Sequence, residues 1–358
     1  MRRPELKGKA QTVLGLVDSG QLGFTLPHEH FLIDCTLLFV EPSDSKDKKL
    51  SRQPISLEIL NWVRSNRVSH FENLRITDVE VAINEAMLFR EAGGGTIVNV
   101  TPNNVGRDPA ALARIAQATG INVIMGTAYY VEESYRPEMR MDSKTEEDIA
   151  DEFVRDIAIG VGATRIHAGI IGEIGCSWPL TANERKVLRA AAVAQQRTGA
   201  AIAVHPGCYD EAPLEIVKVL SDAGANIRRV IIDHMDHTTK SHSARFRLAE
   251  TGCYLEWDRF GADGQYPIVS PHYQNRPVDV PSDMERLNQI IQLIGEGHLN
   301  QILISHDTFM KIDLAHFGGG GYAHIPNNII PLMQQKNFSE ESIYKITIEN
   351  PKRVLTFA

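Results

Sequence analysis

Eight short apolar runs recur along the chain, and stretches of helical periodicity separate most of them. Residues 11–34 read as a short hairpin leading into a strand that ends near His28 and His30. A helix is predicted over 78–92, closed by Gly93-Gly94-Gly95, with a β-branched strand over 96–100. The next pairs are a helix over 109–119, stopped at Gly120, with a strand over 122–127, and a helix over 145–160 with a strand over 168–175. The helix over 181–198 has Thr181 as N-cap and Glu184 in the capping-box position. A strand at 200–205 follows it. Helices at 213–224, 243–251 and 284–296 are then followed by, or follow, strands at 229–234, 253–257 and 301–305. A C-terminal helical region runs to Phe357.

The strands are apolar throughout rather than alternating, as parallel strands covered on both faces should be. Eight strand–helix units predict one α/β domain over 1–358, a (β/α)8 TIM barrel with a short N-terminal hairpin and an insertion after strand one. The insertion spans 39–73. It holds a charged run, Asp44-Ser45-Lys46-Asp47-Lys48-Lys49, and an amphipathic piece over 57–63, and is expected to cap one face. A doubly wound open sheet is the runner-up. It is disfavoured because no Gly-x-Gly-x-x-Gly follows a first strand.

Composition narrows the function classes. A hydrophobic fraction of 43% and a charged fraction of 23% over 358 residues describe an ordinary globular chain. The net charge of −8 argues against a nucleic-acid binder and against an acidic membrane surface as partner. No apolar run reaches transmembrane length, and Met1 to Lys7 lacks the apolar stretch of a signal peptide, so a cytoplasmic location is expected. Cys35, Cys176, Cys208 and Cys253 are scattered without a Cys-x-x-Cys pair, and buried free thiols are expected.

The chemistry gathers at the predicted strand ends. Strand one ends in His28 and His30, strand four in Glu173, strand five in His205, strand six in His234, and strand eight in His306 and Asp307. Residues two apart on a strand share a face, so His28 and His30 can serve one ion. Each residue alone has an ordinary role open to it. His205 suits a hydrogen-bonded core position, Asp307 a helix N-cap before Thr308, Glu173 a partner for a buried arginine, and His237, His306 and His316 generic polar sites. Strand ends of a barrel converge on one mouth, however. Four imidazoles and two carboxylates exceed the needs of one tetrahedral ion and favour two ions sharing a carboxylate.

The His28-x-His30 pair, the run Gly169-Ile170-Ile171-Gly172-Glu173, His205, His234 and Asp307 resemble the binuclear metal set of the amidohydrolase superfamily, in its phosphotriesterase-like branch. The resemblance extends from Gly15 to Glu349-Asn350-Pro351 and includes long stretches at 11–17 and 169–181. It implies two divalent ions per chain, zinc first and manganese second. His28, His30 and Asp307 would hold the more buried ion, His205 and His234 the more exposed one, and Glu173 would bridge. A hydroxide shared by the ions would attack the substrate, with Asp307 carrying the proton to the leaving group. One departure stands out: the branch places a carboxylated lysine on strand four where this chain has Gly172, with Glu173 one place later. A one-residue shift flips a side chain to the other face, so a bulge near Gly172 is expected to restore its aim.

Relatives in this branch are associated with cleavage of N-acetyltaurine, so the resemblance implies a small N-acyl amide as substrate. The acid group would need cationic or N–H partners. Arg259 after strand seven, Asn103 and Arg107 after strand two, and Tyr322 and His324 beyond the four glycines at 318–321 are the expected contacts. The alternatives are a lactonase, suggested by Trp257-Asp258-Arg259-Phe260-Gly261, a phosphoester hydrolase, or a metal-stabilised binding protein without turnover. The expected partners are a small molecule and, in assembly, a second copy forming a homodimer.

Overall fold

All six positions of the strand Ile170–Gly175 are buried, and its neighbours are almost as fully enclosed. Such strands need cover on both faces, which a ring of helices around a parallel sheet provides. The computed structural model describes residues 3–266 and 278–358 and has this arrangement. Eight strands lie side by side in chain order: β1 (Phe24–Glu29), β2 (Gly94–Asn99), β3 (Asn122–Thr127), β4 (Ile170–Gly175), β5 (Ile202–His205), β6 (Val230–Ile232), β7 (Tyr254–Trp257) and β8 (Ile302–Ile304). Every neighbouring pair is parallel. The seam between β8 and β1 is drawn together beyond the strand ends. Asp307 N–H donates to His28 O at 3.2 Å, and His28 N–H donates to Ser305 Oγ at 3.2 Å. The sheet is thus nearly closed into the predicted barrel.

The helices α1 (Val79–Glu91), α2 (Pro109–Thr119), α3 (Glu146–Ala158), α4 (Ala182–Thr198), α5 (Ala212–Asp222), α6 (His242–Ala249) and α7 (Asp283–Gly295) fill the crossovers. Their starts are written in the sequence. Asp78, Asp108, Thr145, Thr181, Ser241 and Ser282 each accept a backbone N–H of the first turn, and Thr181 and Glu184 form the expected capping box. One boundary differs. Gly94 and Gly95 begin β2 rather than cap α1, because Gly95 lies against Leu22 O, where a Cβ would come within 2.4 Å.

The predicted hairpin pairs Lys9–Thr12 with Gly15–Asp18, and Val13 N–H donates to Val123 O at the start of β3. It therefore sits at the end of the barrel away from the strand termini. The insertion contains helices Ser45–Leu50 and Leu60–Ser65. The charged run thus forms a helix, capped by Asp44, and the amphipathic piece starts later than expected, leaving Leu57 90% exposed. Arg67 pairs with Asp313 at 2.7 Å and Arg64 donates to Gly318 O at 2.8 Å, so the insertion packs on the segment beyond β8, at the mouth. All four cysteines are free, three of them buried. Among the described residues no helix is long and apolar enough to cross a membrane.

The irregularity expected on strand four is present. Ile171 pairs with Ile202 and Ile174 with Val204, so three steps on β4 face two on β5, and the Gly172–Glu173 peptide is cis. Only glycine fits at the bulge, since a Cβ on Gly172 would stand 2.7 Å from Ala203 Cβ and 3.0 Å from Ala203 O. Gly172→Ala is expected to destabilise the fold by about 1–3 kcal/mol through overpacking. Urea unfolding checks this, and an unchanged midpoint contradicts it.

Candidate metal centre

The strand alternation in β1 sorts the three residues of the His-x-His segment. His28 and His30 face the barrel axis and mouth, while Glu29 faces the seam. Glu29 accepts from Ser305 Oγ, from the backbone N–H groups of His306 and Thr308, and lies 2.6 Å from His306 Nδ1. Burial would raise its pKa, but His306 and these donors hold it below the usual carboxylate value. The middle residue of the motif is therefore a buried clamp joining the two edge strands. His306 belongs to that clamp and not to the mouth.

The remaining strand-end residues meet. His30 Nε2 is 3.1 Å from Asp307 Oδ1, and His28 Nε2 is 3.6 Å from the same oxygen. Glu173 Oε1 lies 2.9 Å from His205 Nδ1, 3.1 Å from His234 Nε2 and 3.8 Å from His28 Nε2, while its Oε2 is 3.8 Å from His30 Nε2. Ligand atoms of His28, His30 and Asp307 fall within 4.8 Å of one another, as do those of His28, Glu173 and His234. The Glu173 carboxylate lies within 3.8 Å of histidines in both sets. Each of these six residues is at most 7% exposed.

The hydrogen bonds behind the imidazoles leave lone pairs at the centre. Thr101 Oγ1 donates to Leu32 O, so it accepts from His30 Nδ1, 2.9 Å away, and leaves His30 Nε2 bare. Asp258 Oδ1 lies 2.8 Å from His234 Nδ1, which leaves its Nε2 without a hydrogen, 2.7 Å from His205 Nδ1 and 3.1 Å from Glu173 Oε1. Neither nitrogen of His28 has a hydrogen-bond partner. Buried imidazoles without partners are costly, and a metal ion supplies what they lack. His234 and Asp307 adopt left-handed backbone conformations, with φ of 59° and 47°, which L residues visit rarely. Such strain gathers where side-chain aim outweighs backbone comfort.

Charge states suit the same role. Burial and the imidazoles of His205 and His28 hold His234 well below its ordinary pKa, so it is neutral. Burial would raise Asp307, but the Arg259 guanidinium and His30 hold it below the carboxylate range. Burial likewise opposes the ionisation of Glu173, and His28 and His205 overcome it. His28 is the exception: burial would lower it, but the Asp233, Glu173 and Asp258 carboxylates raise it, so an ion bound there must displace its proton.

Of the expected substrate contacts, Arg259 reaches the mouth. It lines the cavity above the cluster and donates to Asp307 O at 2.6 Å and Oδ2 at 3.1 Å. The other four are placed elsewhere. Asn103 ties its loop to Ala128 through backbone and side chain. Arg107 turns away to Gly126 O and to Asp156 on α3. Tyr322 is buried, its ring beside Phe31 and its hydroxyl donating to His30 O. His324 lies 2.9 Å from Asp283 Oδ2 and 3.1 Å from Asn328 Nδ2. None of the four lines the cavity.

Three other residues shape the mouth. Asp258 holds His234, and its place directly after β7 was a usable signal, overlooked beside Arg259. Tyr130 packs edge-to-face on His205, ring centroids 5.1 Å apart, with no sequence signal. His237 stacks on His234 with centroids 5.2 Å apart, lines the cavity, and has Nδ1 3.3 Å from Asp236 Oδ1. Burial would lower the His237 pKa, but Asp236 and Cys208 raise it to about 9. The folded chain then binds this proton more tightly than the unfolded one. The stabilisation is complete below 6.5 and is lost as pH rises through about 9. In chelator, wild-type stability should fall over that window more than that of His237→Gln, and parallel pH profiles from thermal unfolding would contradict this.

The phosphotriesterase family model matches residues 8–355. The chain belongs to the phosphotriesterase family. N-acetyltaurine hydrolases of Dictyostelium discoideum and Bos taurus are each 41% identical to it; the first alignment covers 98% of both chains, the second 98% of this chain and 99% of the relative. A resiniferatoxin-binding protein from Rhodobacter sphaeroides has the same fold, with a TM-score of 0.91 and 35% identity over 97% of this chain and 95% of its own. In this family the buried cluster of histidines and carboxylates marks a metal-dependent hydrolase.

Proposed function

We propose that this chain hydrolyses N-acetyltaurine, and related small N-acyl amino acids, to the free amine and the carboxylic acid. The observation that carries this reading is the joint one of a full-length match to N-acetyltaurine hydrolases and a buried His–carboxylate cluster at the barrel mouth. Two divalent ions fit the residues present, zinc before manganese given imidazole and carboxylate donors. His28, His30 and Asp307 would hold one, His205 and His234 the other, with Glu173 between them. When bound, the ions polarise the acyl oxygen and lower the pKa of water.

The chain's own groups do the rest. Asp307 removes a proton from the attacking water and delivers it to the amide nitrogen as the C–N bond breaks. Arg259, bonded to Asp307, keeps that carboxylate ionised and aimed. Arg259 and His237 give the cavity cationic side chains, which suit a sulfonate or carboxylate on the leaving amine. Leu38, Val105 and Phe309 form an apolar wall that keeps water from the acyl side.

A substrate panel tests the reading. Purified protein supplied with zinc should release acetate from N-acetyltaurine faster than it opens an acyl lactone or cleaves a phosphotriester. A higher kcat/KM on the lactone would make the chain a lactonase instead. No turnover of any of the three would favour a binding protein.

A further inference from the structure

Below the mouth the barrel interior contains acids that neither metal set uses. Asp233 follows β6, Glu256 lies on β7, and Asp258 follows β7; with His28 their ligand atoms lie within 4.8 Å of one another. All four are fully buried. The interior of such a barrel is normally filled by branched apolar side chains, and buried carboxylates are costly there.

Asp258 is accounted for. Its Oδ1 faces His234 Nδ1 and its Oδ2 accepts the His234 backbone N–H at 2.9 Å. Asp233, Glu256 and His28 are not, and of the two acids it is Asp233 that reaches His28. Neither Asp233 oxygen and neither His28 nitrogen has a hydrogen-bond partner, although His28 Nδ1 stands 3.5 Å from Asp233 Oδ2. Asp258 Oδ2 is also 3.5 Å from His28 Nδ1, but it is already occupied by His234. An imidazole that gives Nε2 to an ion keeps its hydrogen on Nδ1 and needs an acceptor there.

We infer that Asp233 is a positioning residue for the more buried ion: it accepts the Nδ1–H of His28 and so fixes the tautomer and aim of that ligand. The chain then holds two parallel carboxylate–imidazole pairs, Asp233 behind His28 and Asp258 behind His234. This rests on the reading of His28 as a metal ligand.

Zinc retention against graded chelator tests it, with thermal unfolding of the metal-free proteins alongside. For Asp233→Leu, one of the two zinc affinities should fall about 10–100-fold, the usual cost of losing such a partner, while the other is unchanged. Asp233→Asn, whose amide oxygen still accepts an N–H, should restore most of the loss. Metal-free Asp233→Leu should unfold no earlier than wild type, because an unpaired buried carboxylate gives the empty fold nothing. Wild-type zinc affinities in Asp233→Leu would overturn the inference. So would a variant that fails to fold or melts markedly earlier without metal, since that marks a structural role. Wild-type protein that binds no zinc would refute the metal reading itself.

Discussion

Glu173→Gln is expected to lose nearly all activity and to bind metal weakly while remaining folded. The amide keeps the volume of the carboxylate. It removes the negative charge that faces His28, His30, His205 and His234 at 2.9–3.8 Å. If Glu173 bridges two ions as proposed, an amide oxygen would be a poor replacement for that charge. The loss should exceed the roughly 10–100-fold typical of residues one shell further out. The fold should tolerate the change, because the bulge that aims this side chain is built by Gly172 and its fit against Ala203, not by the carboxylate. Metal analysis and turnover on the same preparation check this. Unchanged metal content and turnover would mean that the bridge lies elsewhere.

Asp307→Asn should reduce turnover by about 10²–10⁴-fold, the usual cost of losing a general acid–base. Asparagine is nearly isosteric and can still accept from Arg259 and from the side of His30. It cannot take up a proton from water. A helix-capping role would predict little loss, since asparagine caps as well as aspartate. The structure gives that role no footing: the next helical turn begins only at Lys311, and the Asp307 oxygens face His30 and Arg259. Thermal unfolding should be compared at saturating zinc, because bound ions stabilise by mass action. Near-normal turnover in this variant would remove Asp307 from the mechanism.

The barrel was legible because each parallel strand is buried on both faces and so reads as an apolar run, as in Ile302–Ile304 and Ile202–His205. The strand-end residues were legible for a related reason: a barrel carries every strand terminus to one mouth, so position along a run is position in space. Even the bulge was readable from Gly172. What was hidden depends on partners distant in the chain. Glu29 was passed over because its clamp joins residues 277 positions away. Arg107, Tyr322 and His324 lie away from the cavity because loop polar groups turn toward whichever carboxylate or carbonyl satisfies them, here Asp156, His30 and Asp283. No local pattern encodes that choice. Asp233 looked like a strand residue before a ligand, and only its unpartnered oxygens beside His28 show it to be more.

The central claim is that two ions held at the strand ends hydrolyse an N-acyl amide. It is tested most directly by returning zinc in steps to chelator-treated protein while following taurine and acetate release from N-acetyltaurine. No activity is expected without metal, and activity should rise and level off at two equivalents per chain. Full activity in the metal-free protein, or a plateau at one equivalent, would contradict it.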